Sequence, residues 1–202
     1  MRDLIVTTFL TLDGVMQGPG GPEEDTSGGF KSGGWSVNYW DDDMGRFMDE
    51  KVLSNGFAMV LGRKTYEIMA AYWPDAPVEA GAKVFNDATK YVASRSKPAL
   101  KWQNSIALDG DAADAIAKLK RENGPELQVH GSGNLARSLI GSELVDRYYL
   151  WVFPVVVGSG KRLFADGIAP SALKLVDSTV STTGVVIGTY EPAGEIETGS
   201  FG

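Results

Sequence analysis

Three short segments of the chain combine glycine, hydroxyl and cationic side chains in a way that suits the binding of phosphate. Residues 62–65 read Gly-Arg-Lys-Thr, residues 94–96 read Ser-Arg-Ser, and residues 131–134 read Gly-Ser-Gly-Asn. Backbone N–H groups at the start of a helix, together with arginine, are favourable partners for phosphate oxygens. Three such segments in one chain predict an anionic ligand that carries more than one phosphate group.

Each of these segments, taken alone, is also explained as a surface turn with solvated side chains. The third segment lacks the full spaced-glycine pattern and the following acidic residue of a Rossmann dinucleotide site. The three segments together are therefore more informative than any one of them.

Asp13 follows the first apolar run of the chain and is the candidate for a catalytic carboxyl group. A carboxyl group there could hold an amidine-like edge of a substrate, or pass on a proton through water if burial raised its pKa. The alternative is a plain turn, because an Asp-Gly pair commonly forms one. Three aromatic residues are candidates for a wall beside a flat substrate, and packing alone is the alternative for them: Trp35, Tyr39 and Trp40.

The composition excludes several classes of function. The formal net charge of −7 opposes nucleic-acid binding, which depends on a positive field. The chain has no cysteine and a single histidine, His130, so no metal site is predicted. No apolar run is long enough to cross a bilayer and the N-terminus has no signal-peptide pattern, which predicts a cytoplasmic protein without a membrane partner.

Strand-like and helix-like segments alternate along the chain. Apolar runs predict strands at 4–12, 57–61, 90–94, 106–108, 127–130, 148–153, 173–176 and 185–190, and periodic runs predict helices at 41–53, 66–73, 82–88, 111–122 and 135–140. This order predicts one α/β domain over residues 1–191, with a mainly parallel sheet and an antiparallel C-terminal edge. Residues 192–202 are predicted to be a frayed tail, and the glycine-rich stretch 14–38 a lid, a binding loop or a disordered insert.

In this order along the chain, the motifs resemble those of the dihydrofolate reductase superfamily. Residues 61–67 look like its cofactor turn, and residues 11–14 resemble the end of the first strand in the branch that includes the reductase domain of bacterial riboflavin-biosynthesis enzymes. Residues 129–135 are similar to the second glycine turn of that branch, and residues 145–164 to its signature ending. The resemblance covers roughly residues 2 to 190 and implies a three-layer α/β/α fold that binds NADPH.

The resemblance implies a role for each matching position in the cofactor site. The pyrophosphate and adenosine phosphates would meet Gly62, Arg63, Lys64 and Thr65, and the 2′-phosphate would meet Ser94 and Arg95. The pyrophosphate and nicotinamide side would meet Gly131, Ser132, Gly133, Asn134 and Leu135, where Ser132 stands in place of the second of two paired glycines. A mobile loop over the nicotinamide would contain Val15 and Met16.

The sequence therefore predicts an NADPH-dependent oxidoreductase that transfers hydride to a small pterin-like, pyrimidinone-like or carbonyl substrate. Two other functions stay open: a non-catalytic NADP-binding module, and a structural dimer that inherited the fold. A homodimer is expected because residues 148–153 are apolar on both faces and relatives in the family commonly pair through late strands.

Overall fold

A computed structural model describes residues 1–96 and 98–201 of the chain. Its strands are β1 Leu4–Thr11, β2 Phe57–Gly62, β3 Thr89–Ala93, β4 Ser105–Ala107, β5 Glu126–His130, β6 Arg147–Phe153, β7 Leu173–Val180 and β8 Val186–Pro192. In the part of the chain described, these eight strands form one sheet in the order β4-β3-β2-β5-β1-β6-β8-β7. Only β8 runs against its neighbours, β6 and β7, so the predicted parallel sheet with an antiparallel C-terminal edge is confirmed.

Helices cover both faces of this sheet. They are α1 Asp42–Phe47, continued by a π-helical segment Met48–Leu53, then α2 Arg63–Tyr72, α3 Ala82–Asp87, α4 Ala112–Arg121 and α5 Gly133–Gly141. Leu4 and Val6 of β1 pack with α4 and α5, and the alternate residue Ile5 packs with α1 on the other face. This alternation follows from the two-residue period of a strand and gives the expected three-layer α/β/α arrangement.

Two helices begin earlier than their apolar periodicity predicts. α2 begins at Arg63 rather than Tyr66, and α5 begins at Gly133 rather than Leu135. The polar residues at these positions carry no apolar signal, although they already have helical backbone geometry. Both phosphate-suited segments therefore include the first turn of a helix, directly after a strand.

The glycine-rich stretch 14–38 is packed against the domain as a folded insert. It contains two short 3-10 turns, Ser27–Gly29 and Val37–Tyr39, and buries the ring of Phe30. Gly33 is required there, because a Cβ atom at this position would lie 2.5 Å from the carbonyl oxygen of Gly21. The stretch is therefore folded rather than disordered, and its role as a lid or binding loop stays a prediction.

The apolar character of β6 serves the packing of this chain itself. β6 lies between β1 and β8, and Trp151 and Phe153 on it are completely buried. The apolar residues of β6 therefore do not form a free surface for a second copy, because the rings of Phe9, Phe47, Trp35 and Tyr39 already cover them. The edge strand at the C-terminal end of the sheet is β7, on which Val176 and Val180 are exposed, and the homodimer stays a prediction.

The end of the chain follows β8 for two residues beyond Pro192. Ala193 donates to the Ala172 carbonyl, and Ala172 donates to the Gly194 carbonyl. The frayed tail stays a prediction for the residues after 194, and residue 202 lies outside those described. Within residues 1–96 and 98–201, none of the helices is long and apolar enough to cross a membrane.

Candidate functional site

The three phosphate-suited segments meet at one edge of the sheet. β3, β2 and β5 are adjacent and parallel, so the chain leaves all three at their carboxyl ends on the same side. The Gly62 N–H group at the end of β2 donates to the Ser132 hydroxyl oxygen after β5, at 3.0 Å. This hydrogen bond joins segments 62–65 and 131–134 directly, although 70 residues separate its two partners along the chain.

Ser132 adopts the left-handed backbone conformation that its place in a glycine turn demands. Its φ and ψ angles are 51° and 47°, and Gly131 before it has a φ of 56°. A serine in this region costs about 1 kcal/mol relative to glycine, and the hydroxyl bond to Gly62 offsets that cost by a similar amount. The serine thus keeps the tight turn of the paired glycines and adds a link between the two segments.

The helices that begin at this edge have backbone N–H groups without a capping side chain. In the described residues, Asp41 caps α1 and Asp111 caps α4, whereas α2, α3 and α5 have no side-chain cap. Only α2 and α5 of these three start at the carboxyl ends of the neighbouring strands β2 and β5. Their first-turn N–H groups and positive helix ends form a site of the kind that binds anions.

The side chains of these first turns have different surroundings. Arg63 pairs with Glu67 at 3.3 Å on the exposed side of α2. Thr65 lies beside the second turn, since its methyl group is 3.8 Å from where a Cβ of Gly131 would stand. In α5, the Asn134 amide oxygen accepts from Arg137, and Leu135 is buried in the core.

Lys64 is held by an acidic residue of the insert. Its ammonium group lies 2.5 Å from one oxygen of Asp25, and Lys161 lies 2.5 Å from the other oxygen. The Ser27 hydroxyl group is within 2.7 Å of Lys161. Burial alone would raise the pKa of Asp25, but the two lysines and Ser27 hold it far below its ordinary value. This cluster fastens the insert across the start of α2.

Gln17 forms further hydrogen bonds with the segment of the insert that contains Asp25 and Ser27. Its side-chain amide donates to the carbonyl groups of Asp25 and Ser27, and its amide oxygen accepts from the Lys161 N–H group. Val15 is fully buried and forms an isolated bridge with Arg162. These contacts place the insert, the first strand and the loop after β6 in one unit.

Met16 lies on the second glycine turn. A Cβ atom at Gly133 would stand 2.9 Å from the Met16 sulfur, so the side chain covers the start of α5. Val15 and Met16, predicted to lie in a loop over the nicotinamide, therefore flank the same sheet edge as segments 62–65 and 131–134.

Asp13 is engaged as a structural carboxylate. It accepts hydrogen bonds from the Thr11 hydroxyl group at 2.6 Å and from the N–H groups of Val157 and Gly158 at 3.2 and 2.9 Å. The Thr11 bond, joined by the two backbone bonds, holds the pKa of Asp13 below its ordinary value. These donors stabilise the ionised form, so the condition for the proton relay, a raised pKa, is not met. The other predicted role of Asp13, to hold an amidine-like edge of a substrate, stays a prediction.

We expect Asp13→Asn to destabilise the loop after β6. An asparagine has one acceptor oxygen in place of two, so at least one donor among Thr11, Val157 and Gly158 loses its partner. The expected loss is about 2 kcal/mol of unfolding free energy, measured by urea denaturation. The exposed Asp166→Asn, which removes one charge from the segment between β6 and β7, serves as the control, and equal losses in the two variants would contradict this role.

The predicted aromatic wall is part of the packing against β1 and β6. Trp35 and Tyr39 both meet Phe153 edge-on, with ring centroids 5.2 and 6.0 Å away. Trp40 stacks on Trp151 at 6.1 Å and stays 49% exposed. Packing therefore accounts for Trp35 and Tyr39, and of the three only Trp40 leaves about half of its side chain exposed to solvent.

A cavity of about 180 Å³ opens between the ends of β3 and β4. We call it the β3–β4 cavity. Ser94, Arg95 and Ser96 line one part of it, and Leu108, Asp109 and Gly110 line another. The predicted 2′-phosphate residues Ser94 and Arg95 thus border a concave site at the same sheet edge as α2.

His130, at the end of β5, is a neutral residue in an aromatic setting. Phe57 and Phe85 lie 5.7 and 5.8 Å from its ring, and burial lowers its pKa to about 4. Gln128 directs its amide nitrogen to Val52 and Glu126, so its amide oxygen faces His130 Nε2 at 3.0 Å. That oxygen can only accept, and the imidazole is therefore protonated on Nε2.

Several residues of this site carried no recognisable signal in the sequence. Asp25 and Ser27 lie in the insert, where no periodic pattern exists, and Asp109 lies in a short connection. Lys161 and Arg162 fall in the segment that resembles the family's signature ending, which was the available indication of a role. The structure alone shows what these side chains contact.

The sequence of this chain is similar to those of known proteins. Residues 2–187 match the family of the RibD C-terminal domain. The chain is 30% identical over 189 residues to the uncharacterized protein YyaP of Bacillus subtilis (strain 168), and the match covers 92% of each chain.

Two solved structures share the fold. A putative riboflavin biosynthesis protein from Shewanella sp. PV-4 has a TM-score of 0.67 at 18% identity, over 95% of this chain and 99% of that one. The dihydrofolate reductase from Enterococcus faecalis complexed with NADP(H) and RAB-propyl has a TM-score of 0.58 at 17% identity, over 94% and 96%. The expected dihydrofolate reductase-like fold is confirmed, and with the match over residues 2–187 the chain belongs to the RibD C-terminal domain family.

Proposed function

We propose that this protein is an NADPH-dependent oxidoreductase that transfers hydride to a small heterocyclic or carbonyl substrate. The observation that carries the proposal is the junction of two uncapped helix starts, linked by the bond from Gly62 to Ser132, beside a cavity that contains Arg95. Membership of a reductase-type family and the NADP(H) bound by the Enterococcus relative support it.

The donor set at this junction fits a dinucleotide. The first-turn N–H groups of α2 and α5 would bind the pyrophosphate oxygens, with the Thr65 hydroxyl group beside them. Ser94 and Arg95 would hold the 2′-phosphate in the β3–β4 cavity, since a guanidinium group matches phosphate geometry. When bound, the nicotinamide supplies the hydride, and the chain provides binding and orientation.

The insert would act as a cover over the cofactor site. Met16 lies against Gly133, and Asp25 fastens the insert to Lys64 and Lys161. A cover of this kind excludes water from the reacting atoms and strengthens the electrostatic interactions beneath it. Lys64 is predicted to contact the pyrophosphate, and it would do so while it remains ion-paired with Asp25.

The substrate would be flat or small, in keeping with the exposed ring of Trp40 above Trp151. A half-exposed indole ring offers a stacking surface to a heteroaromatic ring. Asp13 is not part of this proposal as a proton donor, because its hydrogen bonds keep it ionised.

Arg95→Ala tests the cofactor assignment. We expect it to weaken NADPH binding by about tenfold or more, because a charge-assisted hydrogen bond to the 2′-phosphate is lost, and to leave NADH binding nearly unchanged. Enhancement of nicotinamide fluorescence gives both dissociation constants. The control is Arg121→Ala, which removes an equal charge from the exposed end of α4, and equal weakening of both nucleotides by Arg95→Ala would contradict the assignment.

Turnover separates this function from a non-catalytic NADP-binding module. We expect loss of the reduced-nicotinamide absorbance when the protein and NADPH are mixed with a member of a panel of pterins, pyrimidinones and imines. Binding of NADPH without reduction of any of them would favour the module.

A further inference from the structure

The β3–β4 cavity contains opposite charges on chain segments that leave two neighbouring strands. Val92 of β3 and Ala107 of β4 are paired in register, and the Leu108 N–H group donates to the Val92 carbonyl at 2.9 Å. The chain diverges beyond this bond, which puts Arg95 on the segment after β3 and Asp109 on the segment after β4. A ligand in the cavity meets both.

Asp109 differs from Asp111, two residues further on, in its hydrogen-bond partners. Asp111 is committed to α4, where its carboxylate accepts from the N–H groups of Ala113 and Asp114. Gly110 between the two has a φ of 76°, which turns the chain so that they have different surroundings. Within residues 1–96 and 98–201, neither Arg95 nor Asp109 forms an ion pair, and both residues line the cavity.

We propose that Asp109 is a specificity-determining residue that reduces the preference for a 2′-phosphate and lets the site accept NADH as well as NADPH. This inference rests on the proposed cofactor function. A carboxylate accepts hydrogen bonds from the ribose hydroxyl groups of NADH, whereas arginine binds the 2′-phosphate of NADPH. Within one cavity, Arg95 therefore favours the binding of NADPH, and Asp109 favours the binding of NADH.

The size of the effect follows from the repulsion between two negative charges in one cavity. Arg95 and Asp109 both line this space of about 180 Å³, so a phosphate held by Arg95 would share it with the Asp109 carboxylate. Both side chains are exposed, and water screens the repulsion. For a dianion about 6 Å from a unit charge in a water-like dielectric, removal of that charge corresponds to about a tenfold change in affinity.

The test compares Asp109→Asn with the wild-type chain in titrations against NADPH and NADH, followed by nicotinamide fluorescence. The expected result is NADPH binding tightened by about tenfold and NADH binding unchanged or weaker, so that the selectivity for NADPH rises by at least that factor. Glu122→Gln is the matched control, because it removes one exposed negative charge just after α4 without lining the cavity.

The outcomes separate this inference from the function on which it rests. If the wild-type chain binds both nucleotides and Asp109→Asn leaves their ratio unchanged, or shifts it no more than Glu122→Gln does, the role of Asp109 is overturned and the cofactor assignment stands. If the wild-type chain binds neither nucleotide, the proposed function fails, and this inference fails with it. Equal melting temperatures of the variants show that the comparison concerns binding alone.

Discussion

Gly160→Ala is expected to lower the free energy of unfolding by about 3 kcal/mol or more and to separate the insert from the loop after β6. Gly160 has a φ of 144°, a conformation that residues with a side chain rarely adopt. A Cβ atom there would also lie 2.6 Å from Cγ1 of the fully buried Val15 and 3.2 Å from the ring of Phe30. Neither neighbour can move without disturbing the core of the insert.

Disruption of the contact between Gly160 and Val15 should also affect the proposed cofactor site. Val15 is adjacent to Met16, which covers Gly133, so displacement of Val15 shifts the cover of the second glycine turn. We therefore expect weaker NADPH binding together with the lower stability. Urea denaturation measures the stability, and nicotinamide fluorescence measures the binding.

Gly158→Ala is the matched control in the same loop. Gly158 has a φ of 79°, and no described atom lies within 4 Å of the position of its Cβ. The substitution introduces backbone strain of about 1 kcal/mol without a steric clash. If the two alanine variants lost the same stability, the clash with Val15 and Phe30 would have no part in the effect.

Acid is expected to destabilise the protein through His130 by up to about 3 kcal/mol between pH 6.5 and 4. Burial lowers the pKa of this imidazole to about 4 in the folded chain, whereas an unfolded histidine titrates near 6.5. In that window the unfolded chain binds the extra proton and the folded chain does not. The stabilising contribution is therefore complete above about pH 6.5 and is lost as the pH falls towards 4.

The pKa of His130 can be measured directly, because His130 is the only histidine in the sequence. Its single imidazole signal in an NMR titration should show a pKa near 4 in the folded state, and near 6.5 in urea. His130→Gln should remove the same part of the pH dependence of unfolding, since the carboxylates titrate equally in both chains. A folded-state pKa near 6.5 would contradict the burial of the neutral ring.

The order of strands and helices could be read from the sequence because each element carries its own periodic pattern. The runs at 57–61 and 127–130 are apolar throughout, which is typical of parallel strands covered on both faces. Their parallel direction then puts the glycine segments after them at one edge, and this local rule located the candidate cofactor site. The early starts of α2 and α5 could not be predicted in this way, because their first-turn residues are polar and show no period.

The partners of the charged residues became clear only in the folded chain. Asp25 contacts Lys64 and Lys161, which are 39 and 136 residues away along the chain. The insert that contains Asp25 has no periodic pattern from which these contacts could be predicted. The sequence predicts a catalytic carboxyl group at Asp13, and the Thr11 hydroxyl group, joined by backbone N–H groups more than 140 residues distant, holds its pKa below the ordinary value. Periodicity records which face of an element is buried, whereas the protonation state and charge partner of a side chain depend on contacts between distant segments.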